Sequence, residues 1–242
     1  MNWHARYLQQ AGWTRPLRNY IFDKIPLDAS SRLLEVGCGT GAILSELSSR
    51  LTLHGLDLDP AALAQCRIHA PAALLTRGDA LQLPYPNNAF DITCCHFLLL
   101  WVPHPLQALT EMRRVTRPGG YVIAFAEPDY ENRVDQPPAL APLGKWQAQA
   151  LKQQGADPAF GARLAESFFQ AGIRLIETGT LQSGEGEASP EAWEMEWAVL
   201  EADLAGFVSS EDIQKMKRLD QAARQRGERR LHVPTYFAWG QK

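Results

Sequence analysis

Three glycines in five residues, Gly37-Cys38-Gly39-Thr40-Gly41, follow a short apolar run, Arg32 to Val36 (RLLEV). A strand that turns through such a loop into a helix aims backbone N–H groups and the positive helix end at a bound ligand. Glycine permits the tight turn and a close backbone approach. Asp57 lies 20 residues after Gly37, where such folds place a carboxylate for ribose hydroxyls. Gly37-x-Gly39-x-x-Ala42 also fits the dinucleotide pattern GxGxxG/A, so the loop alone leaves the class of adenosine cofactor open. Glu35 is a carboxylate inside an otherwise apolar strand, a costly place for a charge without a partner.

The elements that must position these residues alternate. After the loop a helix is expected to about Arg50, with Ile43, Leu44 and Leu47 inward. Leu53 to Leu58 is a second strand. It ends at Asp59-Pro60, a helix cap with proline at the first helical position, and helix capping alone accounts for Asp59. Leu74 to Arg77 is a third strand leading into Gly78-Asp79. Asp91 to Leu100 (DITCCHFLLL) is a fourth strand and its exit. Leu106, Leu109 and Met112 set a helical stripe that Arg117-Pro118-Gly119-Gly120 stops. Tyr121 to Ala126 (YVIAFA) is a fifth strand. Continuous apolar runs separated by helices indicate a parallel, doubly wound α/β sheet covered on both faces.

Outside this region, residues 3 to 25 read as an aromatic-rich helix broken or kinked at Pro16. Residues 128 to 157 are proline-rich and read as an irregular insertion. Asp157-Pro158 opens a helix with Phe160, Leu164 and Phe168 on one face. Ile173 to Thr178 is a sixth strand, 183 to 188 a loop, 190 to 226 helices with Trp193 and Trp197 one turn apart, and Thr235 to Trp239 a terminal strand. This divides the chain into an N-terminal helical segment (1–29), a cofactor-binding core (30–127), and an insertion, helical cap and final strands (128–242).

LLEVGCGTG, then GLDLDP, then GDALQLPYPNNAFD, then RPGG before an apolar strand, closely resembles the class I S-adenosylmethionine (SAM)-dependent methyltransferases over roughly residues 30 to 127. The nearest branch holds the ubiquinone and menaquinone biosynthesis methyltransferases and many small-molecule enzymes. The resemblance implies a Rossmann-like, seven-stranded, mostly parallel sheet with the last strand antiparallel, plus a helical cap. It also implies SAM as cofactor and S-adenosylhomocysteine as product. Glu35 would hold the SAM ammonium. Gly37, Cys38, Gly39 and Gly41 would approach through backbone, Asp57 would grip the ribose hydroxyls, and Leu58 would pack on adenine. Asp79 and Ala80 would read the adenine edge. His96 would lie beside the methionyl end, although a packed or backbone-bonded histidine fits its position as well. His96, Glu127 and Tyr130 are the candidates for catalysis. Tyr7, Trp13, Trp101, Tyr130, Trp146, Trp193 and Trp197 could line an apolar acceptor site.

The rest of the composition narrows the alternatives. The chain has 242 residues, 45% hydrophobic and 21% charged, with net charge −3. No excess of Lys and Arg argues against a nucleic-acid partner, although Arg218, Arg224, Arg226, Arg229 and Arg230 could form a local basic patch for RNA or protein. No cysteine spacing suggests a metal, and Cys94 and Cys95 should face opposite sides of their strand. There is no secretory h-region and no run of about 18 apolar residues, so a cytoplasmic protein is expected. The expected function is methyl transfer from SAM to a small-molecule acceptor. The competing readings are methylation of RNA or protein, SAM binding without transfer, and a NAD-dependent oxidoreductase.

Overall fold

The computed structural model describes residues 2–47, 51–181 and 189–242. The loop expected at 183–188 and the last residues of the helix expected to reach Arg50 lie outside these residues. In chain order the elements are α1 (Trp3–Lys24), β1 (Arg32–Val36), β2 (Thr52–Asp57), α2 (Pro60–His69), β3 (Leu74–Arg77), β4 (Phe90–Cys95), α3 (Pro105–Val115) and a long β5 (Thr116–Pro128). There follow β6 (Val134–Gln136), α4 (Ala141–Gln153), α5 (Leu164–Gln170), β7 (Arg174–Thr180), α6 (Pro190–Leu204), α7 (Ser210–Gln225), β8 (Arg230–His232) and β9 (Thr235–Gln241).

Seven strands form one sheet in the order β3-β2-β1-β4-β5-β9-β7, and β6 and β8 form a separate ribbon. Strands β1 to β5 pair in parallel, while β9 runs antiparallel between β5 and β7. This is the seven-stranded, mostly parallel architecture with an antiparallel last strand that the family resemblance implies. Alternate residues of each central strand feed opposite cores. Leu34, Cys95 and Ala124 join Leu109, Met112 and Phe168 on one face. Leu33, Cys94 and Ile123 join Ile21, Leu63 and Trp239 on the other. Both sides are apolar because helices cover both, which is why these strands read as unbroken runs. Cys94 and Cys95 are fully buried on opposite faces, as period two requires.

A third core lies in the cap. Leu143, Trp197, Leu200, Leu204, Ile213 and Met216 from α4, α6 and α7 pack together. Asp220, 2% exposed, accepts the indole N–H groups of both Trp193 and Trp197 and the Arg229 guanidinium. Asp135 accepts two N–H groups from Arg133 at 2.8 and 2.9 Å and one from Arg229 at 2.7 Å. Arg229 therefore ties α7 to the β6–β8 ribbon.

Four expectations are corrected. After Gly41 there is one α-type bond, Ser45 N–H to the Gly41 carbonyl, before i→i+3 bonds at Glu46 and Leu47 tighten the chain into a 3-10 turn over Leu44–Glu46. With strand β2 already begun at Thr52, little chain remains for a longer helix. Helix α1 runs through Pro16 unbroken, so a single lost N–H is outweighed by the packing of Ala11, Thr14, Arg18 and Ile21, all buried. The 128–157 stretch is not irregular, for it holds the 13-residue α4. Its prolines precede that helix or sit in its first turn, where no intrahelical N–H is needed. Leu106 is 39% exposed, and Ala108, Leu109, Met112 and Val115 carry the buried face of α3. No helix among the described residues is long and apolar enough to cross a membrane.

Candidate functional site

The strand order reverses between β1 and β4, so the chain parts at their carboxyl ends, Val36 and Cys95. Folds of this kind bind ligands in that crevice. Here a cavity of about 510 Å³ opens. Glu35, the glycine loop and Asp57 line one end, and Trp101, Tyr130, Leu151 and Asp203 line the cap end. Helix α1 roofs it through Trp3, Arg6, Tyr7 and Gln10. The His4 ring lies on the His69 ring at 3.4 Å and bonds to Thr40 in the glycine loop at 2.8 Å. Further along, Ala11 packs on Ala42 and Ile43. Arg18, buried beneath, bonds to the Ala11 carbonyl, Thr14 and Glu46.

The glycine loop is shaped by close approach. Gly37 has φ +72°, and a Cβ there would stand 2.7 Å from Leu98 Cδ1. At Gly41, φ +82°, a Cβ would stand 2.7 Å from Cys66 Sγ. Both positions therefore exclude side chains twice, by conformation and by space. The N–H groups of Gly37 and Cys38 share the Leu56 carbonyl at 2.7 and 3.0 Å. Asp57 closes the loop: its two oxygens accept from Gly39 N–H at 2.7 Å and Asp59 N–H at 2.9 Å. Asp59 caps α2 by accepting from Ala61 N–H at 2.8 Å, the local role its sequence predicts.

Glu35 is 2% exposed and its Oε2 has no hydrogen-bond partner among the described residues. Burial pushes its carboxyl well above the usual range. The neighbouring Cys66 and Asp57 push the same way, and Arg18 pulls against them. A buried acceptor facing a cavity without a donor is the complement of a ligand cation. A ligand ammonium would supply both the missing hydrogen bond and the charge that keeps Glu35 ionised.

The three catalytic candidates separate. His96 lines the cavity, with Nε2 3.2 Å from Thr14 Oγ1. Burial, aided by the Arg18 charge, pushes it down to about 3, so the ring is neutral near pH 7. Tyr130 lines the cavity too, and burial raises its hydroxyl to about 12. Glu127 is fully buried outside the cavity lining. Its oxygens accept N–H groups from Leu98 at 3.1 Å, Leu99 at 3.0 Å and Leu100 at 3.2 Å. Burial lifts it to about 7 against the pull of those bonds. Glu127 thus holds the β4 exit loop that presents His96 through Trp101.

The other proposed contacts are spread around the rim. Leu58 is 63% exposed just beyond Asp57. Asp79 makes a turn by accepting from Leu81 N–H at 2.8 Å, and Ala80 is buried in the core. Of the aromatic set, Tyr7, Trp101 and Tyr130 reach the cavity. Trp13 is 49% exposed beside Phe97, and Trp146, Trp193 and Trp197 belong to the cap core. The sequence reading missed Arg6, Gln10, Phe97 and Asp203. Trp3, Arg6, Tyr7 and Gln10 recur at helical spacing on α1, and that mixed aromatic and polar stripe was the available signal. No cluster of His, Cys, Asp and Glu suited to a metal occurs among the described residues.

Comparison with known proteins agrees with this geometry. Residues 34–124 match the methyltransferase domain family. The chain is 31% identical over 147 residues to a demethylmenaquinone methyltransferase of Lactiplantibacillus plantarum, covering 56% of this chain and 59% of that protein. It is 37% identical over 113 residues to the phthiotriol/phenolphthiotriol dimycocerosates methyltransferase of Mycobacterium leprae, covering 45% of this chain and 42% of that one. The chain thus spans less than two thirds of the length of these relatives. A solved structure from Bacillus halodurans, a candidate methyltransferase, shares the fold with TM-score 0.67 at 14% identity, over 93% of this chain and 97% of that one. The glycine loop closed by Asp57, the unpartnered Oε2 of Glu35 and the methyltransferase domain matched over residues 34–124 together support a class I SAM-dependent methyltransferase fold.

Proposed function

We propose that the chain transfers the methyl group of SAM to a small-molecule acceptor held between the sheet's carboxyl edge and the cap. The observation that carries this reading is one cavity with two unlike ends. Glu35, the glycine loop and Asp57 suit an aminoacyl and ribosyl ligand at one end, and aromatic and cap residues lie at the other. When bound, SAM supplies an electrophilic methyl group on a sulfonium.

Glu35 would take the ammonium through its free oxygen, a charge-assisted bond. Asp57, already fixed by two backbone N–H groups, would accept the ribose hydroxyls without further ordering. Gly37, Cys38, Gly39 and Gly41 would approach through backbone. Leu58 would cover adenine, with Asp79 and Ala80 at its edge. On the acceptor side the chain brings alignment and exclusion of water. His96 is too weak a base near pH 7, Tyr130 keeps its proton, and Glu127 lies outside the cavity. None of these three is both placed and charged to act as a base near pH 7, so positioning, worth about 7–11 kcal/mol in well-oriented cases, carries the rate. The acceptor class is supported by the aromatic and apolar side chains at the cap end, Trp101, Tyr130 and Leu151. Of the arginines that could serve RNA, Arg229 is committed to Asp135 and Asp220 and Arg224 lies over the Trp193 ring, while Arg226 pairs with Glu228 at the surface.

Isothermal titration with SAM, S-adenosylhomocysteine and NAD tests the cofactor half. Binding of the first two without NAD is expected. A response to NAD alone would sink the reading, and tight SAM binding with no transfer to any acceptor would favour a SAM-fold protein of another activity.

A further inference from the structure

Arg6 sits in the cavity wall at 8% exposure. Among the described residues its guanidinium has one hydrogen-bond partner, Gln9, one turn along α1. The guanidinium lies 4.9 Å over the Trp13 ring, and its buried Nε has no partner. No ion pair to Arg6 forms among the described residues. The other buried arginines differ. Arg18 has Glu46, and Arg133 has Asp135 through two bonds and Gln147 through a third. A buried cation without a counter-ion is costly, and a planar guanidinium with free donors is shaped for a carboxylate.

Which ligand would bring that carboxylate follows from the helix. Tyr7, Ala11, Thr14 and Arg18 form the stripe of α1 that faces the glycine loop and His96. Arg6 and Trp13 occupy the neighbouring stripe. The Arg6 charge acts on Tyr130 and Asp203 at the cap end, and the cation acting on Glu35 is Arg18. Asp203 is already bonded to Gln147 at 2.8 Å. It offsets part of the Arg6 charge without pairing with it, and it offers an acceptor to an O–H or N–H on the same ligand. We propose that the methyl acceptor is a carboxylic acid with an apolar or aromatic body, its carboxylate bound by Arg6 at the cap end of the cavity. This rests on reading the cavity as a methyl-transfer site, and it adds the charge class of the substrate.

The test uses the full chain saturated with S-adenosylhomocysteine, titrated calorimetrically with three acid and amide pairs: benzoate and benzamide, cinnamate and cinnamamide, hexanoate and hexanamide. The wild type should bind at least one acid about tenfold or more tighter than its amide. Arg6→Gln should lose that preference, Arg6→Lys should retain part of it, and both should bind S-adenosylhomocysteine within about threefold of wild type. If no acid is preferred by the wild type, or if Arg6→Gln keeps the preference, the proposal is overturned. If Arg6→Gln instead loses about tenfold or more in S-adenosylhomocysteine affinity, and Arg6→Lys restores it, Arg6 holds the cofactor's carboxylate and the acceptor assignment is wrong. Failure of the wild type to bind S-adenosylhomocysteine at all removes the underlying methyl-transfer reading, a result separate from any effect of Arg6.

Discussion

Gly39 donates its backbone N–H to Asp57 Oδ2 at 2.7 Å, so the acid expected to hold a ribose also builds the loop that would hold the rest of the cofactor. Asp57→Ala should weaken SAM binding by about 1.5–3 kcal/mol, measured by titration. Asp59→Ala should instead cost about 1 kcal/mol of fold stability, as a lost cap, measured by denaturant unfolding. The reverse pattern would mean that the ribose acid has been assigned one turn too early.

Glu127 gives the fold a pH dependence with a definite sign. An acid whose pKa rises on folding, here to about 7, contributes stability that is full below its unfolded value and is lost as pH rises through the folded one. Its share should decline by roughly 2–4 kcal/mol between about pH 4.5 and about pH 7. Glu127→Gln should abolish that slope. It should also destabilise the protein at every pH, because an amide oxygen cannot replace two oxygens that receive three N–H groups. Unfolding curves of both proteins at several pH values decide this, and identical slopes would contradict it.

His96 works in the opposite sense. A base lowered to about 3 stays neutral in the folded state while the unfolded chain takes up a proton near 6.5. Its contribution is complete above about pH 6.5 and is lost as pH falls toward 3. His96→Gln should flatten the acid limb of the stability curve. Near pH 7 it should leave the pH profile of transfer unchanged, since the wild-type ring does not titrate there. An inflection near 6.5 that vanishes in the variant would restore His96 as a base.

Asp220→Ala should cost about 2–3 kcal/mol, because it leaves two indole N–H groups in the cap without an acceptor and removes one of the two carboxylates that hold Arg229. The loss should appear in thermal unfolding, with SAM affinity less affected than affinity for the acceptor. Stability unchanged within about 0.5 kcal/mol would show that these contacts do not hold the cap.

The central sheet was legible because β1, β2, β4 and β5 are apolar runs punctuated by glycine and proline, and because a parallel sheet needs nothing subtler than coverage on both faces. Helix α4 was not legible, because Pro137, Pro138 and Pro142 mask a helix whose body, GKWQAQALKQ, is ordinary helix-forming sequence. Glu35 and Asp57 stood out by type and spacing. The role of Glu127 was hidden because its partners are backbone N–H groups, which carry no residue identity. Arg6 was hidden for another reason: only packing reveals that a charged residue on an amphipathic helix has no counter-ion.

Helix α1 covers a surface made by residues far along the chain, reaching Thr40 from His4 and His96 from Thr14. It is synthesised before the floor it roofs and can seat only after the fourth strand has formed, so this cover is a late step in folding. The same geometry governs exchange. A ligand at the Glu35 end would lie beside Tyr7, close to the helix that the His4–Thr40 bond ties to the glycine loop, and its departure should be eased when the first turns of α1 lift. Turnover would then be paced by a local opening of one helix, a motion whose free energy hydrogen exchange reads directly from the amides of residues 5 to 14.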